Sequence, residues 1–183
     1  DESTATADGD GSHDSLGVNM EDLQLRYVQV VFRHGARAPL TERFGVHDHN
    51  WEYCSPAFEP VPIVVNGLGG SARPVSRMDE KQRSAMLPGG CHKGQLTSIG
   101  QLQALHFGSW LRTRYIERAG LLPQNYDAST LTVRSTNLSR TIATATGVVS
   151  GLYPDTAKTN AVTIVTAPDE QEWIYPNHRT CPK

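Results

Sequence analysis

The residues best equipped for chemistry fall in one short stretch, "RHGAR", where Arg33, His34 and Arg37 lie within five positions of one another. Two guanidinium forks beside one imidazole make poor structural sense unless an anion sits among them. Buried like charges repel, and unmatched donors are costly to bury. The planar fork fits a tetrahedral oxyanion, of which phosphate is the commonest. Cationic neighbours also disfavour the imidazolium, so His34 is expected to stay neutral and keep a lone pair. Those properties suit nucleophilic attack on phosphorus, with His34 taking the phosphoryl group and the arginines stabilising charge on its equatorial oxygens. An intermediate of that type needs no metal and no other cofactor.

A third arginine, Arg134, closes the stretch "LTVR" and is followed by "STN", a helix-capping sequence. It is expected at the carboxyl end of a strand and beside a helix N-terminus that favours anions. The first cluster follows "LRYVQVVF", residues 25–32, which is β-branched, aromatic and too short for a helix. That run predicts a strand buried on both faces, as in a parallel sheet. In open α/β sheets ligands bind beyond the carboxyl ends of strands, and Gly35 lets the backbone turn there. Arg33, Arg37 and Arg134 are therefore expected to converge on His34 as the phosphate-binding set.

The elements that must position these groups follow from pattern. Residues 62–66 are a short strand candidate, inside a stretch from 40 to 90 rich in Pro and Gly that reads as a long loop or cap insertion. Residues 96–120 predict a long helix capped by Thr97 or Ser98 and ended by Gly120. Its apolar residues spread widely around the wheel, so it is expected to be covered on more than one side. Residues 129–136 predict a second strand. Leu138, Ile142, Ala145, Val149 and Leu152 then form a helical stripe, and "AVTIVTA" a third strand. Strand, helix, strand, helix, strand argues for an α/β domain with a largely parallel sheet.

Composition narrows the function classes. Seventeen basic and 19 acidic residues among 183 nearly cancel, which gives no general attraction to nucleic acid or anionic membranes. No apolar run reaches the ~20 residues of a membrane-spanning helix. Residues 1–22 are acidic and polar and read as a flexible arm without the features of a targeting peptide, leaving the compartment open. Cys54, Cys91 and Cys181 allow one disulfide, and none stands in a C-x-x-C pair that would suggest zinc.

Several of these stretches resemble one family. "RHGARAP" is similar to the R-H-G-x-R-x-P signature of the histidine acid phosphatases, branch 2 of the histidine phosphatase superfamily. "GQLTSIGQLQALHFGSWLRTRY" resembles its G-Q-L-T-x-x-G segment and following helix. "VRSTNLSRTIATATGVVSGLYP" resembles its R-S-T-D-x-x-R-T strand and helix. "IYPNHRTC" and "LQLRYVQVVFRHGARAPL" look like the lysophosphatidic acid phosphatase subgroup. The resemblance runs in order from Leu23 to Cys181. It implies a three-layer α/β sandwich with a largely parallel sheet, phosphoglycerate mutase-like and incomplete here.

The resemblance further implies a phosphomonoester substrate, possible action on lysophosphatidic acid, His34 as phosphate acceptor, and Arg33, Arg37 and Arg134 in the phosphate pocket. Asn137 replaces the family's usual aspartate, a change expected to affect a helix cap more than chemistry. The family's downstream H-D pair, which supplies a second pocket histidine and the leaving-group acid, has no counterpart. The chain therefore reads as an N-terminal part, completed by a second polypeptide or a missing C-terminal half. The resulting expectations are poor activity alone, an uncovered sheet edge, and a mitochondrial or secretory and lysosomal compartment. The alternative is an inactive half-fold serving as a scaffold subunit.

Other groups read more plainly. His47 and His49 have metal-ligand spacing but no further ligand signals, so they are expected to bind none. Trp51, Tyr53 and Phe58 read as the packing of a long loop before an acyl-chain cleft. The sequon at Asn137 would place a glycan beside the pocket and reads as chance.

Overall fold

Glycines at helical spacing decide how the two long helices pack. In the computed structural model, which describes residues 23–41, 48–155 and 161–174, α2 spans Ser98–Arg112 and α3 spans Ser139–Leu152. A Cβ at Gly108 would run into the Val148 carbonyl, and one at Gly151 into the Leu105 carbonyl. At Gly147 it would lie 2.8 Å from the Ala104 Cβ. The backbones touch because these positions have no side chains. Buried Gly100, Ala104, Gly108 and Leu111 form the matching stripe on α2, and Leu111, Val148, Leu152 and Tyr153 close the core beside it.

The other side of α3 faces a three-stranded parallel sheet. Its strands are β1 (Ile63–Asn66), β2 (Val133–Arg134) and β3 (Val162–Val165), in the order β1-β3-β2. Central β3 buries Val162 and Ile164 completely, against Val149 and against Ile142 with Ala145 of α3. The α/β class and parallel sheet expected from the alternation are those observed.

The long helix starts and stops as its sequence suggests. The Thr97 hydroxyl accepts from Gly100 N. Thr113–Arg118 continue α2 as a π-helical turn, and Gly120 follows with φ +58°. The third helix differs at its start. Asn137 does not cap it; its side chain accepts from Arg73 Nε and donates to the Pro74 carbonyl. The capping carboxylate comes from Asp79 on α1 (Arg77–Arg83), which accepts from Ser139 N at 2.6 Å. Asn137 is 3% exposed, so the sequon is closed to a glycan in this fold.

Three expectations require correction. Residues 25–32 form no strand and find no β partner among the described residues. Tyr27 is 77% and Val31 79% exposed, the reverse of burial on both faces. An apolar, β-branched run becomes a strand only when a neighbour supplies the hydrogen bonds, and no described segment does. The second strand is two residues, because residues 128–130 are taken up by a turn anchored on Asp127. The third concerns α2, whose outer side carries exposed Ile99, Leu102 and Trp110 rather than a second covered face.

The stretch from 40 to 90 supplies β1 and α1 to the body of the domain. A Cys54–Cys91 disulfide ties residues 48–55 to the segment leading into α2. Trp51 packs with Ala38, Leu87 and Cys91 over that bridge, while Tyr53 is exposed. His47 and Cys181 lie outside the described residues. No helix among the described residues is long and apolar enough to cross a membrane.

Candidate phosphoryl-binding site

The "RHGAR" loop is held from three directions. Thr97 N and its hydroxyl both donate to the Ala36 carbonyl, at 3.0 Å each. Ala36 N donates to Gln103 Oε1 of α2, and Gly35 N to Thr144 Oγ1 of α3. Ala38 N donates to the Gln95 carbonyl and Gly94 N to that of Pro39. Gly35 and Gly100 meet backbone to backbone, where a Cβ on either would collide with the opposite chain. The loop's main chain is thus held by backbone partners and by the side chains of Thr97, Gln103 and Thr144.

His34 is half-buried, and its Nδ1 lies 2.9 Å from the Gly35 carbonyl oxygen. A carbonyl only accepts, so Nδ1 carries the proton and Nε2 keeps the lone pair. Burial lowers its pKa most; the bond to Gly35 opposes this, and the charges of Arg140, Arg37 and Arg33 lower it further. The net shift favours the neutral imidazole, whose lone pair then lies on Nε2.

Arg33, His34, Gly35, Ala36, Arg37 and Gln103 line an open cleft of about 390 Å³. Arg37 donates from Nη1 to the Ala38 carbonyl, while its buried Nε has no hydrogen-bond partner. Burial, and then Arg33, push its pKa below the usual value. A cation made less comfortable by burial and by a like charge is one that an anion would relieve.

Arg33, His34 and Arg37 share this cleft, and Arg134 has partners of its own. Arg134 Nη2 pairs with Glu172 Oε1 at 3.1 Å, and Nη1 donates to the Ser135 carbonyl at 2.7 Å. Glu172 is 1% exposed, so this is an interior ion pair that ties β2 to residues 172–174. Arg134 is not among the charges acting on His34.

Arg140, which the motif reading passed over, is among them. It stands in the first turn of α3, one turn before Thr144, whose hydroxyl donates to the Arg140 carbonyl and accepts from Gly35. Its guanidinium is half-buried; burial lowers its pKa first, then Arg37, with Asp79 opposing and Arg33 adding to the fall. Arg140 Nε is buried without a partner, and Nη1 donates to Gln82 Oε1 at 2.6 Å. A sequence signal was present. "VRSTNLSRT" contains two arginines, and the second sits where a helix N-terminus points toward ligands.

The profile of the histidine phosphatase superfamily (branch 2) matches residues 24–183. The chain belongs to that family. It is 32% identical over 182 residues to lysophosphatidic acid phosphatase type 6 of Bos taurus, covering 97% of this chain and 42% of that protein. It is 34% identical over 177 residues to counting factor 60 of Dictyostelium discoideum, covering 91% and 42%. A probable acid phosphatase of Schizosaccharomyces pombe is 30% identical over 178 residues, covering 89% and 38%. The chain thus spans about two fifths of the length of these relatives. Among the described residues of this histidine phosphatase chain, no cluster of three or more His, Cys, Asp or Glu could hold a metal ion.

Proposed function

We propose that the chain carries the phosphoryl-accepting portion of a phosphomonoester hydrolase. The carrying observation is the His34 imidazole, held by Gly35 with Nε2 as its remaining nitrogen and sharing one cleft with Arg33 and Arg37. In the proposed reaction Nε2 attacks phosphorus, the bond to the ester oxygen breaks, and a phosphohistidine remains. Water then cleaves the P–N bond and releases orthophosphate. Arg33 and Arg37 hold the equatorial oxygens; Arg140 adds positive charge near the imidazole, and Arg134, the third arginine expected in the pocket, pairs with Glu172 in this chain. The relatives named as lysophosphatidic acid phosphatases support a lysophospholipid monoester as substrate. A proton must reach the leaving alkoxide, and loss of such help typically slows a reaction ~10²–10⁴-fold. No described residue is assigned that task, so turnover by this chain alone is expected to be slow.

Incubation with a ³²P-labelled phosphomonoester, followed by an alkaline quench, tests the proposal. Label on the wild-type chain and none on His34→Ala is the expected result; equal labelling of the two rejects His34 as the acceptor.

A second reading, a scaffold subunit, draws on the exposed apolar residues Tyr27, Val31, Ile99 and Trp110. A polypeptide equivalent to the remaining three fifths of the relatives would pair with residues 25–32 and cover α2. Co-purification of such a polypeptide in a 1:1 complex that forms no labelled His34 supports the scaffold. A complex that does form label supports the hydrolase.

A further inference from the structure

Thr97, Gly100 and Gln103 follow one another at intervals of three along the start of α2, and residues so spaced share a helix face. All three meet the same peptide of the "RHGAR" loop. Thr97 donates twice to the Ala36 carbonyl. Gly100 lacks the side chain that would strike the Ala36 backbone. Gln103 Oε1 accepts from Ala36 N at 3.0 Å. The same face brings Gln103 into the wall of the cleft that Arg33, His34 and Arg37 line. A main-chain N–H only donates, so the carboxamide atom facing Ala36 is the oxygen, and Nε2 with its N–H groups is the end left over. Nε2 makes no hydrogen bond to a described residue.

We propose that Gln103 is a further phosphate-binding residue, its Nε2 donating to a non-bridging oxygen of the phosphoryl group while its Oε1 holds the loop. This rests on the reading of the His34 cleft as a phosphoryl site. A phosphoryl group presents several strong acceptor oxygens. The cations that line the cleft are Arg33 and Arg37. Arg37 spends Nη1 on the Ala38 carbonyl, and Arg134 is engaged by Glu172. A neutral donor supplies a further bond without adding to the repulsion between Arg33 and Arg37. Holding Ala36 N alone requires only an acceptor, and a carboxylate is the stronger one. A carboxamide serves the loop with one end and an anion with the other.

The test separates those two ends. Gln103→Glu keeps an acceptor for Ala36 N and loses the donor, whereas Gln103→Met loses both at similar length. A Gln103 that served the loop alone would leave Gln103→Glu like wild type and Gln103→Met the impaired variant. Orthophosphate affinity of the full chain, read by calorimetry, should fall about 10-fold in Gln103→Met, as for one hydrogen bond to a charged group, and about 10²-fold in Gln103→Glu, where a carboxylate faces the anion. A loss in Gln103→Glu no larger than in Gln103→Met overturns the inference. Because a carboxylate also acts on an anion through space, the contact itself is read on the wild-type chain. Its Gln103 side-chain ¹⁵N amide signal, assigned by its absence from Gln103→Met, should shift along the same orthophosphate titration curve. An amide signal that stays in place while orthophosphate binds overturns the inference and leaves the phosphoryl reading standing. A wild-type chain that takes up no orthophosphate removes that reading and this inference with it.

Discussion

On the side of α2 that meets α3, glycines stack against carbonyls, and Leu111 and Ala104 are buried. On the opposite side Ile99, Leu102 and Trp110 stand exposed, Phe107 stacks on Trp110, and Phe32 meets Phe107 edge to face. Both surfaces are apolar in sequence. The inner one is apolar and small, so it can be closed by a helix from the same chain at backbone contact. The outer one is apolar and large, and it adjoins residues 25–32, whose main chain has no sheet partner among the described residues. Size, not hydrophobicity, separates the surface this chain completes by itself from the one it leaves open.

The strongest way to break the comparison is to put bulk on the inner side. Gly108→Val or Gly151→Val sets a side chain into the opposing backbone, and the expected loss of more than ~3 kcal/mol should abolish a cooperative thermal transition. A chain that melts within a few degrees of wild type would show that the helices are not in backbone contact.

Next come the two arginines of "VRSTNLSRT", of which sequence reading singles out Arg134. Arg134→Ala removes the charged partner of buried Glu172, which keeps Trp173 N and Ile174 N as donors, and should cost about 1.5–3 kcal/mol in denaturant unfolding, the range for a buried hydrogen bond to a charged group. Orthophosphate affinity, measured on whatever fraction remains folded, should be unchanged. Arg140→Ala should do the opposite, with near-normal unfolding and a lower affinity, through the loss of positive charge near the imidazole. An Arg134→Ala protein that folds normally but loses phosphate would restore the convergence first expected from the strand ends.

The outer side should yield smaller numbers. Trp110→Ser or Ile99→Thr is expected to change the unfolding free energy of the chain by no more than about 0.5 kcal/mol, the usual range for exposed substitutions. Either substitution should weaken capture of a completing polypeptide in a pull-down. A loss of several kcal/mol in the isolated chain would mean that this face is already covered.

The finest test is a slope with pH. Burial and three arginines hold the His34 pKa below its ordinary 6.5. The unfolded chain therefore takes up that proton first as pH falls. Stability contributed by a neutral His34 should be intact above about pH 6.5 and decline below it, until the folded imidazole also protonates. His34→Gln should lose this component of the slope between pH 7 and pH 5. An unchanged slope in the variant would place the titration on other groups.

The positions of most elements were legible in the sequence because their determinants are local. Thr97 caps its helix through Gly100, three residues on; Gly120 ends it; the stripe from Leu138 to Leu152 marks one face of α3. The parallel pairing of β2 with β3 followed from strands alternating with helices, whereas β1 reads in sequence only as a strand candidate inside a long loop, and the first strand of that alternation does not form. The cluster of Arg33, His34 and Arg37 was legible for the same reason, since five residues on one tight loop cannot be far apart.

What only the tertiary structure decided depends on partners distant in the chain. Arg134 turns to Glu172, 38 residues away, and Arg140 meets Gln82 across 58. The cap of α3 comes from Asp79, 60 residues upstream, and not from adjacent Asn137. Residues 25–32 carry the composition of a strand, but a strand is a relation between two segments, and pairing is encoded in neither alone. Local sequence sets which backbone shapes are cheap; the long-range burial of charge and apolar surface selects which arginine pairs with Glu172 and which with Gln82.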